Sequence, residues 1–115
     1  MRGGLFSVYN MRKETAKIAT AFVAGQAANS ARTSTDGQSV WLHGNKIAWR
    51  KAQDIAFSLC GWGTPTTRDR INGLLLTLGC KGGVIQRNNQ QWLVKKDQVV
   101  PLDSYDVFYL SDLET

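Results

Sequence analysis

Residues 39–51, SVWLHGNKIAWRK, alternate apolar and polar side chains on both sides of a Gly44-Asn45 pair. Alternation with a period of two residues is typical of a half-buried β-strand. Glycine at the first position of a two-residue loop favours a type II′ turn, which joins the two strands of a hairpin. The stretch therefore predicts a β-hairpin whose turn is Gly44-Asn45.

The predicted register gives this hairpin two different faces. The apolar face, which we expect to lie in the core, consists of Val40, Leu42, Ile47 and Trp49. The other face is exposed or contacts a partner, and it carries Trp41, His43, Lys46, Ala48 and Arg50. One tryptophan is thus predicted inside the protein and the other, Trp41, outside.

The segments before the hairpin are predicted as a helix and a loop. The helix covers residues 11–24, with Asn10 as its N-cap and Gly25 at its end. Residues 25–38 are small and polar without periodicity, which indicates a mobile loop.

A second helix is predicted after the hairpin, over Arg68–Leu78, where leucine and isoleucine recur at helical spacing. Its start has two alternatives. Thr64-Pro65 offers an N-cap followed by proline at the first helical position, and a capping box is offered over 66–69.

Four further segments are predicted as strands by their apolar alternation: Ile55–Leu59, Val84–Arg87, Gln90–Val94 and a last strand in SYDVFYL, residues 104–110. The middle two form a hairpin around Asn88-Asn89. The last strand is apolar on both faces, so we expect it to be central or covered on each side. Its residues Tyr105, Val107 and Tyr109 should then be required for folding.

The order of these elements is α-β-β-β-α-β-β-β. It predicts an α+β protein with an antiparallel sheet and two helices on one face. A chain of 115 residues is long enough for one hydrophobic core, and we expect residues 1–115 to form a single domain.

The charge of the chain is unevenly distributed. The formal net charge is +5, and all 14 Lys and Arg residues lie in residues 1–96. The acidic C-terminal segment, residues 97–115, holds five Asp and Glu residues and no basic residue. A basic body predicts a polyanionic partner, and an acidic end can compete for the same surface. The alternative is that both charges only keep the protein in solution.

Several classes of function are not indicated. No apolar run approaches the roughly 20 residues needed to span a bilayer, so we expect no membrane association and a cytoplasmic location. Cys60, Cys80 and the single His43 are too few for a zinc site, and we expect no metal and no cofactor. His43 has no visible nucleophile or orienting carboxylate, so an enzyme is not predicted.

The candidate nucleic-acid-binding residues are those whose chemistry suits phosphates or bases: Trp41, His43, Lys46, Arg50, Lys51, Arg68 and Arg70. Lysine and arginine contact phosphates, and tryptophan stacks on bases. Arg68 and Arg70 lie near a predicted helix start, where free backbone N–H groups also favour anions. The alternatives are solvated arginines paired with Asp69 or with the acidic C-terminal segment, and tryptophans that fill the core or cover a sheet edge.

The first five predicted elements, α-β-β-β-α, resemble double-stranded-RNA-binding domains in their order. That resemblance implies that His43-Gly44-Asn45-Lys46 enters a minor groove and that Arg68 and Arg70 hold phosphates. The chain departs from this family at the helix start, where TTRD, residues 66–69, replaces a lysine-rich segment, and in its additional strands.

The phrases STDGQSVWLHGNKIAWR and GWGTPTTRDRINGLL resemble small uncharacterised proteins encoded by tailed bacteriophages, and the resemblance spans roughly residues 34–78. This resemblance implies a protein that acts in a bacterial cytoplasm. Two functions are then in competition. One is a non-enzymatic accessory protein that binds nucleic acid or a nucleoprotein through a basic surface. The other is an inhibitor that binds a host defence or replication protein directly through Trp41, Trp62 and the acidic end.

Overall fold

The computed structural model describes residues 11–114, which contain three helices and nine strands. In chain order these are α1 (Lys13–Val23), β1 (Ala28–Ser30), β2 (Thr33–Thr35), β3 (Ser39–Leu42), β4 (Asn45–Lys51), β5 (Asp54–Ser58), α2 (Pro65–Thr77), β6 (Gly83–Arg87), β7 (Gln90–Val94), β8 (Val99–Leu102), β9 (Val107–Tyr109) and α3 (Leu110–Glu114). The strands form two antiparallel sheets, one of six strands in the order β1-β2-β3-β4-β5-β9 and one of three in the order β6-β7-β8.

The predicted α+β class with antiparallel pairing is confirmed, and the structure adds a third helix and a second sheet. The core lies where α1 and α2 cover one face of the six-stranded sheet. Ile18 and Phe22 of α1 and Ile71 of α2 share one apolar cluster with Val40 and Phe57 of the sheet. Burial of this shared face holds the layers together, because removing apolar area from water is the main favourable term in folding.

The local signals at α2 and at the second hairpin are confirmed. Of the two helix starts, the structure has the first, because the Thr64 side chain accepts a hydrogen bond from the Thr67 N–H at 3.3 Å and Pro65 is the first helical residue. Asn88 and Asn89 have φ values of 55° and 62°, as a type I′ turn requires. Helix α1 begins at Lys13 with Arg12 in the N-cap position, so the predicted start at residue 11 is two residues too early; the predicted cap, Asn10, lies outside the described residues.

The first hairpin forms where predicted, but its turn is His43-Gly44 instead of Gly44-Asn45. Leu42 pairs with Asn45, and His43 and Gly44 have φ values of 52° and 81°, which defines a type I′ turn. The turn therefore lies one residue earlier than predicted, and it is type I′ instead of type II′.

A β-bulge in β4 then exchanges the two faces of that strand. The register changes between Trp41, which pairs with Lys46, and Val40, which pairs with Ala48, so Ile47 is an extra residue. Ala48 is consequently buried in the core, whereas Trp49 lies on the opposite face and is half-buried. The prediction that Trp49 belongs to the core face is wrong. It assumed strict alternation along β4, and an inserted residue moves every later side chain to the other face.

Residues 25–38 are not a continuous loop, contrary to the prediction. They contain the β1–β2 hairpin, which pairs with β3 and extends the sheet. Thr35 is buried, and its hydroxyl donates to the Ser39 carbonyl at 2.7 Å and accepts from the Gly37 N–H at 3.0 Å. Polar strands of this kind show no apolar alternation, so the sequence reads as a loop.

The C-terminal strand also differs from its prediction. β9 is the edge strand of the larger sheet, and Val107 and Tyr105 are 47% and 76% exposed. Only Phe108 is buried on this strand, where its ring lies 5.4 Å from that of Phe57. The chain then turns into α3, where the Asp112 carboxylate accepts the Tyr109 N–H at 2.8 Å.

Two additional strands also separate this protein from the double-stranded-RNA-binding order. Because β1 and β2 precede the hairpin, five strands lie between α1 and α2 instead of three. The implied role of the hairpin turn in a minor groove therefore loses its topological basis.

Candidate nucleic-acid interface

The face of the six-stranded sheet opposite α1 and α2 combines aromatic and basic side chains. Trp41 pairs directly with Lys46, and Ser39, two residues before Trp41, pairs with Trp49. Since every second residue of a strand shares a face, both tryptophans lie on the same side of the sheet. Continuing through β5, Trp49 pairs with Ala56, which pairs with Tyr109. We call this the aromatic-basic face, and its residues are Trp41, Lys46, Trp49, Lys51 and Tyr109.

The aromatic side chains of this face are presented at the surface. Trp41, Trp49 and Tyr109 are half-buried, and Lys46 and Lys51 are exposed. Ala56 is 0% exposed although it carries only a methyl group, and it lies in register between Trp49 and Tyr109. Trp49 and Tyr109 therefore share this face with the buried alanine between them, on β4 and β9, the two strands that flank β5.

The two lysines differ in how they are held. The Lys51 ammonium donates to the Tyr109 hydroxyl at 3.3 Å and lies 5.8 Å from the centre of its ring. It is thus fixed at the edge of the aromatic surface, within the distance of a cation–π contact. Lys46 is the cross-strand neighbour of Trp41, so its charge lies beside the indole.

Arg50 is placed on the opposite face of the sheet, contrary to its prediction as a phosphate ligand. Its guanidinium donates to the Phe22 carbonyl at 2.6 Å and to the Gly37 carbonyl at 3.0 Å, and it lies 4.5 Å from the centre of the Phe22 ring. These contacts join the sheet to α1 and to the β2–β3 connection. Arg50 therefore has a structural role in this fold, because its Nε and Nη2 donors are used inside the protein.

Arg70 is buried as well, with 4% of its surface exposed. It donates to the Thr33 hydroxyl at 2.9 Å, to the Thr15 hydroxyl at 2.8 Å and to the Asp69 carboxylate at 3.0 Å. The predicted alternative, an arginine paired with Asp69, is the one that the structure has. Arg70 could contact a phosphate only by leaving this cluster, so the structure gives its assignment to the binding site no support.

Arg68 and His43 lie apart from the aromatic-basic face. Arg68 is half-buried and donates to the Gly63 carbonyl at 3.0 Å and to the Gln86 and Gln91 side chains at 2.9 and 3.2 Å. Burial lowers the pKa of its guanidinium. His43 is an exposed residue of the β3–β4 turn. The predicted set therefore divides, and only Trp41, Lys46 and Lys51 share one surface.

Two residues of this surface were missing from the sequence-based set. Trp49 was assigned to the core because the bulge at Ile47 left no mark on the alternation, and Tyr109 was assigned to folding. A sequence signal was available for Trp49: it lies two residues before Lys51, so both side chains must share one face of β4.

The acidic C-terminal segment is folded, and several of its carboxylates serve local structure. Asp106 accepts the Asp103 N–H at 2.9 Å, and Asp103 accepts the Tyr105 N–H at 2.8 Å. Close to the aromatic-basic face, the Asp54 carboxylate binds the Ser111 hydroxyl at 2.5 Å, which is the main reason that the pKa of Asp54 is lowered.

The remaining reactive groups form no cluster. Cys60 and Cys80 are free thiols, and burial raises the pKa of each. Within residues 11–114, no three His, Cys, Asp or Glu side chains are grouped as a metal site. None of the helices in that range is long and apolar enough to cross a membrane.

These features define a small α+β protein with helices on one face of its larger sheet and aromatic and basic side chains on the other. The model of the Kyanoviridae Gp96 protein family matches residues 11–111, and the chain belongs to this family. The match confirms the resemblance to phage-encoded proteins. Comparisons with curated proteins and with solved structures found no match.

Proposed function

We propose that this protein is a non-enzymatic phage accessory protein that binds single-stranded nucleic acid, or a nucleoprotein containing it, in the cytoplasm of the bacterial host. The observation that carries the proposal is the row of Trp41, Trp49 and Tyr109 on a sheet face that also bears Lys46 and Lys51. Proteins that bind single strands combine aromatic platforms for the bases with cations for the phosphates. This face offers both, and the net charge of +5 favours a polyanion.

The geometry favours an extended strand over a duplex. Base–aromatic stacking needs unpaired bases with free π-faces and is worth about 1–3 kcal/mol per base. Diagonal neighbours in adjacent strands lie about 7–8 Å apart, and strands two apart in a sheet are separated by roughly 10 Å. Trp41, Trp49 and Tyr109 therefore stand at intervals that leave room for one base on each ring.

The lysine contribution is tested with the double variant Lys46→Gln/Lys51→Gln. Wild-type binding to a labelled single-stranded oligonucleotide is expected to weaken about 10-fold or more between 50 and 200 mM salt, because bound cations release counterions. Removing two phosphate contacts should weaken binding at low salt and reduce the slope of log K against log[salt] by about 1–2. Fluorescence anisotropy at several salt concentrations measures both quantities.

A matched control is available in the second sheet. Lys95→Gln/Lys96→Gln removes the same charge from the β7–β8 connection, which joins two strands of the second sheet and is not part of the aromatic-basic face. It should change the affinity less and leave the salt slope near the wild-type value. An equal effect of both double variants would mean that only the total charge matters, and the proposed interface would then be incorrect.

The stacking contribution is tested with Trp41→Leu, which keeps an apolar side chain but removes the π-face. Affinity for single strands is expected to fall about 5-fold or more, the lower end of the stacking range. Trp41→Phe should retain most of the affinity. Trp92→Leu, in the second sheet, is the control, and melting temperatures verify folding. If Trp41→Leu binds as well as wild type, the indole does not stack on a base.

The second candidate function is direct inhibition of a host defence or replication protein. Tyr105 and Trp62, which are 76% and 58% exposed, favour it because exposed aromatic side chains are common at protein interfaces. Affinity capture from a bacterial lysate with and without nuclease separates the two functions. Nuclease should abolish capture through nucleic acid and should leave a direct protein contact intact.

A further inference from the structure

A cavity of about 470 Å³ lies between the β3–β4 turn and the first turn of α2, on the helix side of the larger sheet. This volume falls in the range of about 300–1,000 Å³ that is typical of small-molecule sites. Three side chains that are almost fully buried contribute apolar walls, namely Leu42, Ile47 and Leu59. The cavity is therefore an apolar recess that is open to solvent beside the turn.

Trp62 also lines this cavity. Its side chain is not part of the hydrophobic core, because 58% of its surface is exposed. Its N–H donates to the Leu59 carbonyl at 2.9 Å, and Cys60 and Gly61 between them have φ values of 55° and 82°. This is a tight type I′ turn. A Cβ at Gly61 would lie 2.5 Å from the Tyr105 ring, so the turn is also clamped by the neighbouring loop. The turn thus fixes the backbone position from which Trp62 lines the recess.

Polar and cationic groups line the remainder of the opening. The lining includes His43, Asn45 and Thr66, whose side chains carry an imidazole, an amide and a hydroxyl. Arg12 lies beside Thr66, with its Nη1 atom 3.4 Å from the Thr66 hydroxyl and its Nε atom 3.9 Å from the Asp69 carboxylate, and its side chain is 47% exposed. A ligand that fills the recess therefore meets a flat aromatic wall, hydrogen-bonding groups and a positive charge at the rim.

We propose that this cavity binds one nucleobase, stacked on Trp62, with the attached phosphate directed toward Arg12. A nucleobase is planar, has π-faces for an indole, presents donors and acceptors at its edge and carries an anion on its sugar. An aliphatic ligand would offer no hydrogen-bonding partner to Asn45 or His43. The source of the base is either a free nucleotide or a nucleotide of a bound strand.

The second source rests on the proposed function and has a structural basis. Asn45 and Lys46 are consecutive, and their side chains alternate onto opposite faces of β4. Asn45 lines the cavity, whereas Lys46 belongs to the aromatic-basic face. A strand on that face can therefore reach the cavity by passing the β3–β4 turn.

The experiment titrates ¹⁵N-labelled protein with nucleoside monophosphates, with ribose 5-phosphate and with a single-stranded oligonucleotide. Shifts are expected at the Trp62 indole N–H and the Asn45 amide, and ribose 5-phosphate should cause none because it lacks a base. Trp62→Ala should reduce the affinity about 5-fold or more, and Trp62→Phe should retain most of it. Because Trp62 is largely exposed, melting temperatures should not change, and Trp92→Ala is the control for loss of an indole elsewhere.

Each outcome decides between the two proposals. Trp62-dependent binding of monophosphates supports the cavity with a free nucleotide as ligand. This holds even if the oligonucleotide does not bind, in which case the proposed function fails and the cavity proposal stands. Trp62-dependent binding of the oligonucleotide alone supports the cavity as a site for one base of a strand. Oligonucleotide binding that depends on Lys46 and Lys51 but not on Trp62 overturns the cavity proposal and leaves the proposed function intact. Absence of shifts at the cavity with every nucleotide overturns it as well.

Discussion

Replacing Arg70 by alanine is expected to lower the free energy of unfolding by about 3–5 kcal/mol, the cost of breaking a buried ion pair by removing one partner. Arg70 connects three elements, because its guanidinium binds Thr15 of α1, Thr33 of β2 and Asp69 of its own helix α2. The Thr15 hydroxyl also donates to the Asp69 carboxylate. Without the guanidinium, the carboxylate and two hydroxyls would lose a partner away from water.

The environment of Asp69 explains why the loss should be large. Burial raises the pKa of this carboxyl, and the neighbouring Arg70 opposes that shift. In Arg70→Ala this close charge is gone, although the half-exposed Arg12 still lies 3.9 Å from the carboxylate, so the pKa of Asp69 should rise further and its ionised form should become more costly. The variant should therefore lose more stability at neutral pH than at a pH where Asp69 is protonated.

Urea unfolding of wild type, Arg70→Ala and Arg68→Ala measures the effect. Arg68 is half-buried and carries no ion pair with Asp69 in its contacts, so its replacement should cost clearly less. The double variant Asp69→Leu/Arg70→Met is expected to recover much of the loss, because exchanging both partners leaves no uncompensated charge. Equal losses for the two arginines would contradict the structural role of Arg70.

The second large effect is expected for Phe57→Ala, which should also lower the free energy of unfolding by about 3–5 kcal/mol. Phe57 is fully buried on β5, and its ring lies 5.4 Å from that of Phe108 on the edge strand β9. Removing it leaves a cavity beneath β9 and takes away the stacking partner of the only buried residue on that strand. The loss should therefore include weaker docking of the whole C-terminal strand.

The contrast is with Tyr105, which the sequence had suggested as a folding residue. It is 76% exposed, so Tyr105→Ala should change the free energy of unfolding by only about 0.5 kcal/mol. Chemical denaturation measures both variants, and hydrogen exchange at the Phe108 amide reports whether β9 opens separately. A Tyr105→Ala variant as unstable as Phe57→Ala would show that the 103–106 turn, and not the aromatic pair, holds the C-terminal segment.

The sequence alone determined the elements whose signals are local. Thr64-Pro65 begins α2 and Asn88-Asn89 turns the second hairpin, because capping and positive φ are properties of those residues themselves. Apolar alternation likewise identified β4, β5 and β7 and the α+β class. Where a strand carried polar residues, as at Thr33–Thr35, the signal was absent, since β2 is stabilised by pairing with β3 and not by its own apolar face.

Only the tertiary structure decided which of the predicted site residues share a surface. Trp49 joins Trp41 because the bulge at Ile47 shifts the register by one residue, and a shift of one exchanges the faces of a strand. Arg50 and Arg70 look like surface cations in the sequence, yet a guanidinium cannot be buried without partners for its donors. Those partners, the Phe22 carbonyl and the Thr15 and Thr33 hydroxyls, come from elements far away in the chain. Long-range contacts of this kind exist only after folding, so no local pattern could separate these two arginines from Lys46 and Lys51, which remain at the surface.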